Sequence, residues 1–170
     1  MQTRGRTSKQ YFLTLTILFG ALLFAQVILA VMAYFLVVLG SFKGDPSLDD
    51  TFQFVVPVVV GGGIAASFLL SRFLIQSAKQ KTDLSSKLLA YRSAFLIRCA
   101  LLEGPSLLGC VVCMITGNKL YLAVVAVSIA LFVMNTPSAK RITEELELDY
   151  KETGLLNDPD AIVTNEPVYH

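Results

Sequence analysis

The sequence predicts an all-α, polytopic membrane protein with four transmembrane helices and cytoplasmic N- and C-termini. Hydrophobic residues make up 54% of the 170 residues and charged residues only 16%, whereas about a quarter of the residues of a typical soluble domain are charged. The apolar residues form four runs, and a helix needs roughly 20 mostly apolar residues to cross a bilayer. We therefore expect one transmembrane domain, residues 11–136, between a basic N-terminus and a polar tail.

The first predicted span, residues 11–39, follows a basic N-terminal segment, residues 1–10, that contains Arg4, Arg6 and Lys9. The run carries no charge and is longer than the apolar part of a signal peptide. It also lacks a convincing small-x-small cleavage site at its end, so we expect it to be retained.

The second predicted span, residues 52–73, contains the consecutive glycines Gly61, Gly62 and Gly63. Helices in lipid associate largely through van der Waals packing, and small residues allow their backbones to approach closely. The triplet therefore predicts a helix-packing surface.

The third predicted span, residues 95–116, begins in an amphipathic stretch and becomes apolar. Arg92 and Arg98 at its inner end are expected to act as interface anchors, extending toward the headgroups. Gly104 and Pro105 are expected to kink the helix and to contribute to packing.

The fourth predicted span, residues 119–136, is short, and Pro137 marks its end. The tail, residues 137–170, is expected to form one short amphipathic helix, and its last dozen residues are expected to be disordered because they are acidic and polar.

The distribution of Lys and Arg predicts the orientation, since these residues are retained on the cytoplasmic side of short loops. The N-terminus, the connection between the second and third spans, and Lys140 with Arg141 are basic. The other two loops hold only Lys43 and Lys119. Four spans with both ends inside satisfy this pattern, and we expect a multi-pass protein of the cytoplasmic (inner) membrane.

Glu103 is the acidic residue of the sequence that falls within an apolar span. An ionisable group in the bilayer costs on the order of 2.5–3.5 kcal/mol even on lenient scales, so it usually faces a partner or water. Ser106 lies one turn further on the same helix face. Pro105 has no N–H to donate to the carbonyl of Leu101, which leaves that oxygen beside the carboxyl group.

Gln26, in the middle of the first span, is the favoured side-chain partner for Glu103, and Tyr34 and Asn135 are the alternatives. Two interpretations remain open. In the first interpretation, a proton or cation site is formed by Glu103, Ser106 and Gln26. In the other, which we favour, Glu103 is a hydrogen-bonded packing group.

The second and third spans, VVVGGGIAASFLL and ALLEGPSLLGCVV joined by a basic polar loop, resemble the helical hairpin of the proteolipid c subunit of rotary ATP synthases. The resemblance implies that Glu103 matches the ion-binding carboxylate and that Gly61 to Gly63 match the glycine-rich face. A longer stretch, KLLAYRSAFLIRCALLEGPSLLG followed by TGNKLYL, is similar to small uncharacterised bacterial membrane proteins with four helices. That similarity implies no activity.

The sequence favours a non-enzymatic packing or assembly component of a membrane complex or homo-oligomer, with proton or cation transport as the alternative. It shows no nucleophile–base pair, and Cys99, Cys110 and Cys113 lack the spacing of metal ligands. We therefore expect no cofactor, no metal and no nucleic-acid partner. The expected partners are the lipid bilayer and either another membrane protein or a second copy.

Overall fold

The computed structural model describes residues 3–40 and 44–167, and most of these residues are helical. In chain order the elements are β1 Thr3–Thr7, α1 Ser8–Val38, a one-turn 3₁₀ helix Pro46–Leu48, α2 Asp49–Lys79, α3 Leu84–Thr116, α4 Leu120–Val133, α5 Ala139–Leu146, α6 Tyr150–Asn157 and β2 Ile162–Pro167.

Three of the described helices, α1, α2 and α3, are long and apolar enough to cross a membrane. The prediction of an all-α fold with membrane-spanning helices is confirmed at this level. α4 is apolar but has 14 residues, which corresponds to roughly 21 Å. This is less than the ~30 Å thickness of the hydrocarbon core.

The long helices extend beyond the predicted spans. α2 continues to Lys79 and α3 begins at Leu84, so the basic connection between them is helical except for four residues. Pro57 and Pro105 lie inside α2 and α3, and the helices continue through both. One missing backbone hydrogen bond is therefore tolerated in each helix.

Contacts divide the described chain into two compact units. The terminal unit comprises the described parts of residues 1–19, 70–97 and 136–170. The apolar unit comprises the described parts of residues 20–69 and 98–135.

In the terminal unit, β1 and β2 pair in antiparallel register, with Thr3 opposite Pro167 and Arg6 opposite Thr164. The two ends of the chain are therefore hydrogen-bonded to each other. The Tyr11 hydroxyl donates to the carbonyl of Leu88 at 2.9 Å, which joins α1 to α3 within this unit.

The C-terminal region of the terminal unit is more ordered than the sequence predicts. A capping box between Asp149 and Glu152 begins α6, and Lys87 forms an ion pair with Glu152 at 2.7 Å. Only 14% and 15% of these two side chains are exposed. The prediction of one helix followed by disorder is wrong for residues 150–167, because these contacts and the pairing with β1 stabilise α6 and β2; residues 168–170 lie outside the described residues.

In the apolar unit, side chains of α1, α2, α3 and α4 form one buried cluster: Val37, Val56, Val112, Cys113 and Tyr121. The segments between the helices are also joined. Asp49 accepts hydrogen bonds from the Tyr121 hydroxyl at 2.7 Å and from the Asn118 amide at 2.8 Å. These bonds fix the start of α2 beside the start of α4.

Candidate functional site

The helices α2 and α3 approach each other closely at Gly63, near the predicted site. A Cβ atom at this position would lie 2.8 Å from Cγ of Pro105 and 3.2 Å from the carbonyl oxygen of Leu101. One turn further along α2, the Ser67 hydroxyl donates to the carbonyl of Arg98 at 3.3 Å. Gly63 and Ser67 therefore form the small-residue contact through which α2 packs on α3.

The carbonyl of Leu101, which Pro105 deprives of its helical donor, faces this contact. The backbone of Gly63 therefore passes close to this oxygen. The predicted combination of the Glu103 carboxyl group with this carbonyl stays a prediction.

The other predicted packing residues face open space within this chain. A Cβ atom at Gly61, Gly62 or Gly104 would meet nothing within 4 Å, and all three residues are exposed. The reason is the helical rotation of about 100° per residue, which follows from 3.6 residues per turn. Three consecutive glycines therefore point in three directions, and only Gly63 faces α3.

Glu103 lies in the same region of α3 and is partly exposed. Among the residues that the structure describes, it has no hydrogen-bond or ion-pair partner, in contrast to the predicted pairing with Gln26. Gly104 beside it is exposed. This face of α3 thus carries an unpaired carboxyl group in the middle of an apolar helix.

Gln26 and Ser106 are both 0% exposed, and their side-chain polar atoms have no hydrogen-bond partner within the described chain. Of the alternative partners, Asn135 donates its amide to the carbonyl of Leu131 at 2.8 Å, and Tyr34 is 49% exposed. The structure therefore does not join Glu103, Ser106 and Gln26 by hydrogen bonds.

The two arginines predicted as interface anchors are both covered in part by the chain itself. Arg98 is only 8% exposed, so the chain itself covers a side chain that was expected to extend to the headgroups. Arg92 is half-buried in the terminal unit. Both arginines have interactions within the fold.

Two features of the structure were missed by sequence reasoning. One is the set of hydrogen bonds that Asp49 accepts from Asn118 and Tyr121. Two consecutive acidic residues before an apolar run, Asp49 and Asp50, indicate the start of a helix. No local signal identifies the distant partners of Asp49. The other is the Arg6 side chain, whose Nη1 donates to the Thr14 hydroxyl at 3.4 Å across the start of α1.

Within the described chain, no group of three or more His, Cys, Asp or Glu residues is placed to hold a metal ion. Cys99, Cys110 and Cys113 are buried thiols. Comparison of the sequence and structure with protein-family models, curated proteins and solved structures gives no match.

Proposed function

We propose that the protein is a non-enzymatic membrane component that assembles with a helix of another membrane protein through the face of α3 that carries Glu103. The observation that supports this function is the unpaired, partly exposed Glu103. A carboxyl group in the bilayer is costly unless a donor, a cation or water meets it. Since none of the described residues of the chain does so, a donor from outside the chain accounts for it best.

The shape of the surface also favours a helix as the partner. Gly104 is exposed beside Glu103, and no side chain projects over it. A second helix can therefore come close at this point and present Arg, Lys, Asn or Gln to the carboxyl group. The chain's own Gln26 and Ser106 are fully buried, so a second copy has neither of these groups to offer. For this reason we favour a different protein as the partner.

We also propose four crossings of the cytoplasmic membrane with both ends inside. Pairing of β1, which precedes α1, with β2, which follows α4, supports this topology, because paired strands lie on one side of a membrane. The hydrogen bonds from Asn118 and Tyr121 to Asp49 likewise support placing the other two loops on one side. Three crossings would separate the ends, so we propose α4 as the fourth crossing. The basic segments 1–10 and 72–98 favour the cytoplasm for the ends.

Co-purification from native membranes in mild detergent tests the assembly. The wild-type chain is expected to retain one membrane protein in fixed stoichiometry, and Glu103→Leu is expected to lose it. Glu103→Gln keeps the hydrogen-bonding shape and is expected to retain part of it. Leu69→Met, at a position of α2 that is 69% exposed, is the control and is expected to retain all of it.

Contact with the partner is tested by crosslinking from Gly104→Cys in the membrane. The same partner is expected in the crosslinked product, and Glu103→Leu is expected to abolish the product. Retention of the partner by Glu103→Leu would contradict the proposal. Recovery of two differently tagged copies in place of a second protein would contradict the choice of partner.

A further inference from the structure

The face of α3 beside Glu103 carries a row of residues that the chain leaves uncovered. Ala100, Gly104 and Val111 are exposed, and Leu107 is half-buried. These four positions have the alternating spacing of the a and d positions of a heptad repeat, which is the pattern that keeps one helix in contact with another. The stretch from Ala100 to Val111 rises by roughly 17 Å. The row therefore predicts a partner helix that lies along α3 over about three turns.

The size of the side chains changes along this row. Ala100 and Gly104 are small, and a Cβ atom at Gly104 would meet nothing within 4 Å, whereas Leu107 and Val111 are larger. Small residues let helix backbones come close in lipid, so a partner helix approaches most closely at Ala100 and Gly104. Glu103 is the neighbour of Gly104, so a side chain of the partner can reach the carboxyl group at this point.

The charge of Glu103 favours a basic side chain on the partner. Thr116 ends α3 roughly 20 Å beyond Glu103, which places the carboxyl group deep in a hydrocarbon core of ~30 Å. Ionisable residues at such depth pair with one another or with other polar groups. A hydrogen bond from Lys or Arg to a carboxylate is about twice as strong as one between neutral groups. Charge complementarity therefore points to Lys or Arg rather than to an amide.

A second copy of this chain does not supply that basic residue. In the described part of the apolar unit, the basic residues are Arg98 and Lys119. Arg98 is only 8% exposed and has interactions within the fold. Lys119 lies beyond the end of α3, at the start of α4, and not at the depth of Glu103. The basic residue therefore comes from a different protein.

We infer that the partner is a transmembrane helix with a Lys or Arg in its apolar middle, and that this residue pairs with Glu103. The helix packs along the row from Ala100 to Val111 at a crossing angle of about 20°, the geometry of heptad packing. This inference rests on the assembly proposed above, and it specifies the chemistry and the direction of the partner helix.

The first test uses synthetic transmembrane peptides of one Leu-Ala sequence that differ only in a central Lys, Gln or Leu. The full-length protein and a labelled peptide are reconstituted in phosphatidylcholine vesicles, and their association is measured by fluorescence energy transfer. The Lys peptide is expected to bind about tenfold more tightly than the Leu peptide, and also more tightly than the Gln peptide, because hydrogen bonds to charged groups are the stronger ones. Equal binding of the Lys peptide and either of the others would overturn the inference.

Two variants separate the charge from the contact. Glu103→Leu is expected to abolish the advantage of the Lys peptide over the Leu peptide. Gly104→Leu keeps the carboxyl group but fills the contact, and it is expected to weaken binding of the Lys peptide about fivefold through overpacking. Gly62→Leu is the matched control, because Gly62 is also exposed and a Cβ atom there also meets nothing within 4 Å. It is expected to bind as the wild type does, and unchanged binding by Gly104→Leu would contradict the contact.

The natural partner is tested by crosslinking in native membranes from Ala100→Cys, Gly104→Cys and Val111→Cys. All three are expected to link to one helix of the same protein, with a Lys or Arg within one turn of the residue linked to Gly104→Cys. A linked helix without that basic residue, or a product from Gly104→Cys alone, would overturn this inference and leave the assembly in place. No linked protein from any of the three would contradict the assembly itself.

Discussion

Gly62 and Gly63 are adjacent glycines in opposite environments. A methyl group at Gly63 would meet Pro105 and the carbonyl of Leu101, and one at Gly62 would meet open space. Gly63→Ala is therefore expected to lower the free energy of unfolding by about 1–2 kcal/mol through overpacking. Gly62→Ala is expected to leave it unchanged or raise it by up to about 1 kcal/mol, because alanine is the better helix former.

Reversible unfolding in mixed detergent micelles measures both variants, with Gly104→Ala as a second control in open space. If Gly62→Ala were as destabilising as Gly63→Ala, the contact would lie on a different face of α2 from the one described. Equal stability of all three variants and the wild type would mean that the α2–α3 approach is looser than the structure gives.

Gln26 is a buried amide without a hydrogen-bond partner in the described chain. Leaving such a group unsatisfied costs about 1–3 kcal/mol, and leucine has a similar volume. Gln26→Leu is therefore expected to raise the free energy of unfolding by on the order of 1 kcal/mol. Gln76→Leu, at an exposed position of α2, is the control and is expected to have no stabilising effect. A clear loss of stability in Gln26→Leu alone would show that the amide makes a bond in solution.

At the scale of single residues, the sequence identifies chemistry better than orientation. The charge of Glu103 within an apolar run is visible without a structure, and so is the small-residue character of Gly61 to Gly63. Which of these glycines faces α3, and whether Gln26 reaches Glu103, depends on the rotation of each helix about its axis. An error of one residue there rotates a side chain by about 100°, and helices apolar on most sides give little signal to fix it.

At the scale of elements, α3 shows how the polar N-terminal end of a helix is stabilised. Asp83 precedes the helix, and its carboxylate accepts from the backbone N–H of Ser86 at 2.9 Å. Hydrogen bonds from Ser86 lower the pKa of Asp83 below its ordinary value. Because the folded pKa is the lower one, the cap stabilises the fold above about pH 4, the ordinary pKa of Asp, and its contribution is lost as the pH falls through the folded pKa.

Asp83→Ala is therefore expected to be less stable than the wild type at pH 7, since an N-cap acceptor is removed. The difference is expected to shrink as the pH falls below about 4. Thermal unfolding at pH 7, 5 and 3.5 measures it, with Asp83→Asn as a control that caps without titrating. A difference that stays constant over this range would contradict the role of the ionised carboxylate.

The boundaries of the elements were predictable only in part. Apolar runs locate the centres of α1, α2 and α3. They do not mark where these helices begin and end, because the polar ends lie outside the runs. The segment that contains Lys79 and Lys87 is charged, yet both lysines lie within helices and form ion pairs with Glu147 and Glu152 of the tail. These partners lie more than 60 residues away, so a local pattern cannot reveal them.

At the scale of the whole molecule, the pairing of β1 with β2 and the shortness of α4 make opposite demands. The pairing favours an even number of crossings, while α4 provides roughly 21 Å of helix for a hydrocarbon core of ~30 Å. A short span is accommodated by local thinning of the bilayer and by flanking residues at modest cost. Loss of the contacts that join the two ends of the chain would cost more, so we expect α4 to cross.

Accessibility of single cysteines tests this topology. In a background with Cys99, Cys110 and Cys113 replaced, cysteines are placed at the exposed positions Ser47, Thr82, Lys119 and Lys151. An impermeant thiol reagent on intact cells is expected to label Ser47→Cys and Lys119→Cys, because these follow the first and third crossings. Thr82→Cys and Lys151→Cys are expected to react only after the membrane is permeabilised. Labelling of Lys151→Cys together with Ser47→Cys in intact cells would mean three crossings and would be incompatible with the β1–β2 pairing. Labelling of Thr82→Cys and Lys151→Cys alone would mean four crossings in the reverse orientation, against the distribution of Lys and Arg.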